Sequence, residues 1–214
     1  MIHVYGTSHV SHESIDRINE AVEKHDPEIV ALELDPLRLQ ALRTGDDNSS
    51  DGGPIFIRLL RKFQNKIGSK TGLMPGQEML YAYHKSLGED REVVLIDQDI
   101  RTTMRKLGKV RRKEKVKASL SLLAGLVLPG SLDVSSIPDE KLVQQMSVEM
   151  KHSFPGLYSV LMEERNVIMT ESLKQVQREN PDSDIVAFVG AAHRKHLEDE
   201  LSEFDSQSTV EEFL

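Results

Sequence analysis

Neither cysteine nor tryptophan occurs among the 214 residues. Without thiols there is no disulfide framework, no thiolate metal site and no cysteine nucleophile, so any metal must be held by imidazole and carboxylate groups. No run of eighteen apolar residues is present to cross a membrane; the longest candidate, ASLSLLAGLVLPG at 118–130, is short and interrupted, and reads as a buried helix. The amino terminus enters strand-like residues at once, lacking the basic region and apolar core of a signal peptide. A cytoplasmic location is the expectation, with association at a membrane surface kept as an option. No glycine-rich phosphate loop follows a strand, which disfavours nucleotide enzymes, and no Gly-x-Ser-x-Gly elbow marks a serine hydrolase of that kind. Internal repeats are absent beyond one short ending discussed below.

Acidic residues outnumber basic ones, 35 to 27, for a net formal charge of −8, but the positive charge is concentrated. Residues 101–117 hold nine Lys/Arg against the single acid Glu114, a segment of +8 that leaves −16 for the remainder. A solvated helix face is the plain reading of 101–117; an anionic partner or a membrane surface is the sharper one. The acidic body would repel DNA, so no nucleic-acid partner is expected.

The order of hydrophobic patterns predicts an α/β protein with a largely parallel sheet flanked by helices. Strand one covers Ile2 to Tyr5, and Ile15, Ile18 and Val22 then fall at helical spacing behind a possible cap at Ser11, with Pro27 after the end. EIVALEL, REVVLID and DIVAFVG are three further apolar strands without polar alternation, the mark of strands buried on both faces. PLRLQAL and PGQEMLYAYHKSL read as helices, and residues 45–74 as an insertion within a single domain spanning 1–214. A long helical region, Arg101 to Glu179, separates the third and fourth strands; within it Leu157, Leu161, Ile168 and Leu173 are expected to face a core.

Strands one and four both end in Gly, two small residues and His: GTSH at 6–9 and GAAH at 190–193. In parallel sheets side chains converge at the carboxyl ends of strands, and those ends here are His9, Glu33 with Asp35, Asp97 with Asp99, and His193. Two imidazoles and a carboxylate suit a divalent ion of the Zn, Mn, Fe or Co kind. Glu33 is the more telling acid, since an ionised carboxylate inside ALEL needs a partner; Asp35, Asp97 and Asp99 are also natural helix caps. Glu163, Glu164 and Arg165 are expected in a helix with surface exposure as the default, although Arg165 lies on a stripe with apolar Leu161 and Met162.

Taken together these residues resemble the TraB/PrgY family, related to Tiki metalloproteases and, more distantly, to ChaN-like and erythromycin-esterase-like proteins. GTSHVS is similar to the first family motif, ALELDPLRLQAL to the Glu-Leu-x-x-x-Arg motif at Glu33 and Arg38, and PGQEMLYA to the helix motif carrying Glu78. IDQDIRTTMR resembles the Asp-Arg-Asp-Ile motif, EERN carries the Glu-Arg of a late helix at Glu164 and Arg165, and VGAAH is the terminal Gly-x-x-His. Two positions depart from the pattern: Gln98 stands where arginine is usual, and His196 where glycine commonly follows. The resemblance implies a Tiki/ChaN-like fold and metal-dependent peptide hydrolysis, with His9, Glu33 and His193 nearest a Mn, Co, Zn or Fe ion. Glu78 or Glu164 would be the general base, and Arg38, Arg101 or Arg165 would hold an oxyanion or a substrate carboxylate. It also implies alternatives: a non-catalytic peptide-sequestering regulator of the pheromone-shutdown type, or haem or iron binding through the same histidines. The expected partners are a peptide or small-protein substrate and, on base rates, a second copy in a homodimer.

Overall fold

The structure, a computed structural model, describes residues 1–7, 12–45, 76–127 and 140–211. Four parallel strands form one sheet in the order β1-β4-β2-β3, where β1 is Ile2–Thr7, β2 Ile29–Leu32, β3 Glu92–Leu95 and β4 Ile185–Gly190. Every residue of β2 and β4 is buried, while β1 and β3 are half-exposed at the two edges. The apolar runs of β2 and β4 are thus explained by central strands covered on both faces, whereas REVVLID, expected to be buried likewise, forms the edge strand β3. The insertion expected at 45–74 lies, but for Gly45, outside the described residues.

Helices cover the two faces in separate groups. Over one face lie α1 (His12–His25), α2 (Pro36–Thr44) and α3 (Gln77–Gly88), whose Ile18, Ala21, Val22, Leu39, Met79 and Ala82 pack on Val30, Leu32, Val186 and Phe188. Asp35 caps α2 by accepting the Leu37 and Arg38 N–H groups, Pro36 supplies a first residue with fixed φ, and Gly45 ends the helix at φ 62°. Over the other face lie α8 (Glu164–Glu179) and α9 (Ala191–Glu211), with Met169, Leu173, Val176, Leu197 and Leu201 against Ile29, Ala31, Ile185, Ala187 and Val189.

Between β3 and α8 the chain builds a second, helical cluster from α4 (Ile100–Lys109), α5 (Arg112–Val127), α6 (Glu140–Ser153) and α7 (Pro155–Tyr158). Its centre is Leu107, Ala118, Leu157 and Val160. Glu114, the lone acid of the basic segment, accepts the Leu157 N–H at 2.6 Å and so ties α5 to α7. A π-helical turn, Ser159–Glu163, joins α7 to α8. This turn explains a difference from the sequence periodicity: the wider turn advances the inward face by about one residue. Met169 is therefore fully buried where Ile168 was expected, and Ile168 is half-buried, while Leu157 and Leu173 are buried as expected.

Candidate active site at the carboxyl rim of the sheet

Strands β1 and β4 are neighbours, yet the chain leaves β1 toward α1 on one face and leaves β4 toward α9 on the other. Divergent exits from adjacent parallel strands open a crevice at their carboxyl ends. Thr7 stands opposite Gly190 in the β1–β4 register, so the glycines that open the two Gly-x-x-His endings, Gly6 and Gly190, lie on neighbouring strands offset by one residue. His9 lies outside the described residues. Gly6 is required by close packing: a Cβ there would meet the Ala191 Cα at 3.2 Å and the Arg194 Cδ at 3.1 Å, where α9 starts across the end of β1.

Four charged side chains meet beside this crevice. The Arg165 guanidinium sits between two buried carboxylates, with Nε and Nη2 each 2.8 Å from an oxygen of Asp97 and Nη2 also donating to Glu33 Oε1. Glu33 and Asp97 side chains are 2% and 3% exposed. Arg38 adds a second cation, its Nη1 3.2 Å from Asp97 Oδ2. Main chain adds two further donors, Gly190 N–H to Glu33 Oε2 at 2.5 Å and Gln98 N–H to Asp97 Oδ1 at 2.7 Å. Burial alone would push the Arg165 guanidinium down; the charge of Glu33 and the hydrogen bonds and charge of Asp97 outweigh it and hold the group above its ordinary value. Two carboxylates and two guanidiniums balance formally, which is the condition for burying such groups.

His193, in the first turn of α9, is buried against the same cluster. Its Nδ1 is 2.5 Å from Asn166 Oδ1, and its Nε2 is 3.6 Å from Glu33 Oε1. With Asn166 presenting its oxygen, Nδ1 donates, and Nε2 is turned toward the carboxylate. An imidazole nitrogen and a carboxylate oxygen are donor types that can hold a divalent ion. Among the described residues no group of three or more His, Asp or Glu side chains is placed to hold a metal; of the three metal candidates read from sequence, Glu33 and His193 lie within the described residues and His9 does not.

The other sequence candidates are distributed around this centre. Asp99 caps α4 through the Arg101 and Thr102 N–H groups, so the cap reading holds for Asp99 but not for Asp97. Arg101 is 76% exposed and pairs with Asp99, holding that carboxyl below its usual value. Glu164 pairs with Lys106. Glu78 is buried in the first turn of α3, with Oε2 accepting the Gly76 N–H at 3.1 Å. Arg165 corrects the exposed-helix expectation, since the π-helical turn before α8 precedes a guanidinium turned into the protein. Gln98 is buried and bridges Thr103 and Lys106, at 2.7 and 3.1 Å. His196 is an exposed residue of α9. Sequence reasoning left Asn166 out altogether, although it directly follows Arg165 in EERN, and left Asp97 open between a strand-end site residue and a helix cap.

Beside the cluster, a cavity of about 430 Å³ is lined in part by Asn166, Ala191 and Ala192 from the site and by Gln144, Ser147 and Tyr158 from the helices above it. A profile of the TraB/PrgY/gumN family matches residues 1–196, which take in every element of the site. The chain belongs to the TraB/PrgY/gumN family. It is similar to the uncharacterized protein MJ1365 of Methanocaldococcus jannaschii, 29% identical over 222 residues covering 98% of this chain and 55% of that protein. TraB domain-containing proteins of Bos taurus and Homo sapiens are 25% and 24% identical, each covering 83% of this chain and 52% and 53% of their own length. The chain thus spans about half the length of these TraB-family relatives. No helix among the described residues is long and apolar enough to cross a membrane.

Proposed function

We propose that this TraB-family domain is a peptide hydrolase whose site is formed by His9, Glu33 and His193. The observation that carries the reading is the buried His193 ring, fixed on Asn166 through Nδ1 and presenting Nε2 to Glu33 Oε1 at 3.6 Å. These three side chains would hold a divalent ion of the Mn, Co, Zn or Fe kind. When bound, such an ion polarises a carbonyl and brings the pKa of its water toward neutrality.

The chain's own residues do the remaining work. Asn166 selects the His193 tautomer and orients the ring, as an outer partner of a metal-binding imidazole does. Gly190 N–H and Arg165 hold Glu33 in place. Arg165 commits its donors to Asp97 and Glu33, whereas Arg38 makes one contact at 3.2 Å and is one-third exposed. Arg38 is therefore assigned the substrate carboxylate or the developing oxyanion, in preference to Arg101 and Arg165. Glu78 and Glu164 are the candidates for general base.

The test is mass-spectrometric detection of cleavage in a defined peptide mixture with Mn, Co, Zn or Fe(II) added in turn. Cleavage by the wild type that is lost in His193→Ala supports the proposal. An identical product pattern from both, or no products with any ion, overturns it. Asn166→Ala should keep the pattern but displace the pH profile of kcat/KM, because the tautomer is no longer fixed.

A second reading, a regulator that binds an anionic partner through 101–117, is favoured by one surface. Arg105, Lys109, Arg111, Arg112 and Lys113 are exposed, and on α5 the apolar Val116, Leu120 and Leu123 at i, i+4, i+7 spacing are exposed with them. A basic face joined to an apolar stripe is the chemistry of attachment to an anionic bilayer. Reversing charge at 111–113 would then abolish sedimentation with phosphatidylserine vesicles, and His193→Ala would not.

A further inference from the structure

β1 is an edge strand, and its register shows which of its main-chain groups are spare. The Ile185 N–H bonds the Met1 carbonyl, and Ile2 stands opposite Ile185. In a parallel ladder this directs the N–H and C=O groups of His3, Tyr5 and Thr7 to β4, and those of Ile2, Val4 and Gly6 outward. Of the outward groups only the Gly6 carbonyl has a partner among the described residues, Arg17 Nη1 at 3.1 Å.

The outward edge is the floor of an open groove of about 460 Å³. Residues 2–5 of β1 line it, Arg17, Lys24 and His25 of α1 form one wall, and Arg194, Glu198 and Leu201 of α9 form the other. Two helices packed on opposite faces of a sheet stand some 20 Å apart across it, which leaves a slot at the edge for one more strand at the usual ~4.8 Å spacing. The groove does not end there. Arg17, Arg194 and Glu198 also line the cavity that reaches Asn166 and Ala191 beside His193, with Gly6 at the junction. A chain lying along β1 would therefore run directly into the candidate site.

We propose that this groove binds the peptide substrate as an added strand on β1, main-chain groups pairing with Val4 and with the flanking outward groups. This inference rests on the peptide reading above and supplies its missing element, a means of recognising peptide without regard to most side chains. Charge sets a preference. Lys24 has no acidic partner among the described residues, whereas Arg17 and Arg194 are paired with Glu13 and Glu198, so the groove carries net positive charge and favours acidic side chains.

The experiment uses the full chain carrying His193→Gln, so that binding is read without turnover. The probe is a fluorescein-labelled octapeptide of alternating glutamate and valine, with a series of analogues N-methylated at one residue at a time. The expected result is a period of two: methylation at alternate residues weakens binding at least fivefold, methylation between them has little effect. Val4→Pro, which removes an outward N–H and no sheet bond, should weaken binding at least tenfold while far-UV circular dichroism and the unfolding midpoint are kept. Amide exchange at Val4 and Gly6 should slow on binding. No binding at millimolar peptide, a methylation series without the period, or a dimer joined through β1 that the probe does not dissociate overturns the proposal. Periodic binding with no cleavage by the wild type would instead remove the hydrolase reading and leave the groove standing.

Discussion

Replacing Arg165 by methionine removes the cation shared by two buried carboxylates, and the cost can be worked from the contacts. Breaking a buried ion pair by deleting one partner costs about 3–5 kcal/mol, because the survivor is left charged and desolvated. Here Glu33 keeps the Gly190 N–H, and Asp97 keeps the Gln98 N–H and Arg38, so the lower end, about 3 kcal/mol, is expected. For a domain of this size that is a fall of about 6–12 °C in Tm. Arg165→Lys should lie between the two proteins, keeping charge but losing the fork that spans Asp97. Urea unfolding followed by circular dichroism measures the loss. A loss under about 1 kcal/mol would refute the account of Arg165 as the centre of the site.

Other consequences are smaller and separate neighbouring residues. Asp97→Ala should cost about 3 kcal/mol by leaving Arg165 short of its bidentate partner, whereas Asp99→Ala loses only an exposed cap and should unfold at nearly the wild-type temperature in a thermal melt. Gly6→Ala is expected to destabilise by roughly 1 kcal/mol as the start of α9 is pushed back, while Gly108→Ala, in the last turn of α4 with no atom within 4 Å of the added Cβ, should stabilise by up to about 0.5 kcal/mol; calorimetry distinguishes the signs. His3 and His25 stack at 3.7 Å, and Tyr5 Oη lies 2.7 Å from His25 Nε2. Burial, then the charge of the facing imidazole, pushes His3 below its ordinary value, and burial, then Lys24, does the same for His25. Because the folded values lie below the unfolded 6.5, the contribution of this pair is complete above that pH and is lost as pH falls through the folded values. A double His3→Gln, His25→Gln variant should show a flatter stability profile in that window.

The parts of the molecule that were legible in sequence are those where one physical signal acts alone. Continuous apolar runs placed β2, β3 and β4, and the Asp-Pro-Leu-Arg start of α2 carried its own cap, so the parallel α/β core and the convergence of Glu33 and His193 followed directly. What escaped depended on contacts between distant segments. Nothing local distinguishes Asp97 from Asp99, since both precede a helix; the difference is that Asp97 faces Arg165, 68 residues away in sequence. Asn166, and the inward turn of Arg165, were hidden by helix phase, because a π-helical turn leaves no mark in the apolar period that precedes it. The insertion at 45–74 and His9 belong to residues the described structure does not include, apart from Gly45.

The central claim is that His9, Glu33 and His193 form one cation-binding centre. Elemental analysis of protein purified without chelator and then dialysed with Mn, Co, Zn or Fe(II) tests it most directly, comparing wild type with the His9→Ala, His193→Ala double variant. The account predicts close to one ion per wild-type chain and none in the variant, with the fold of both retained. Equal metal in the two proteins, or none in either, would contradict it.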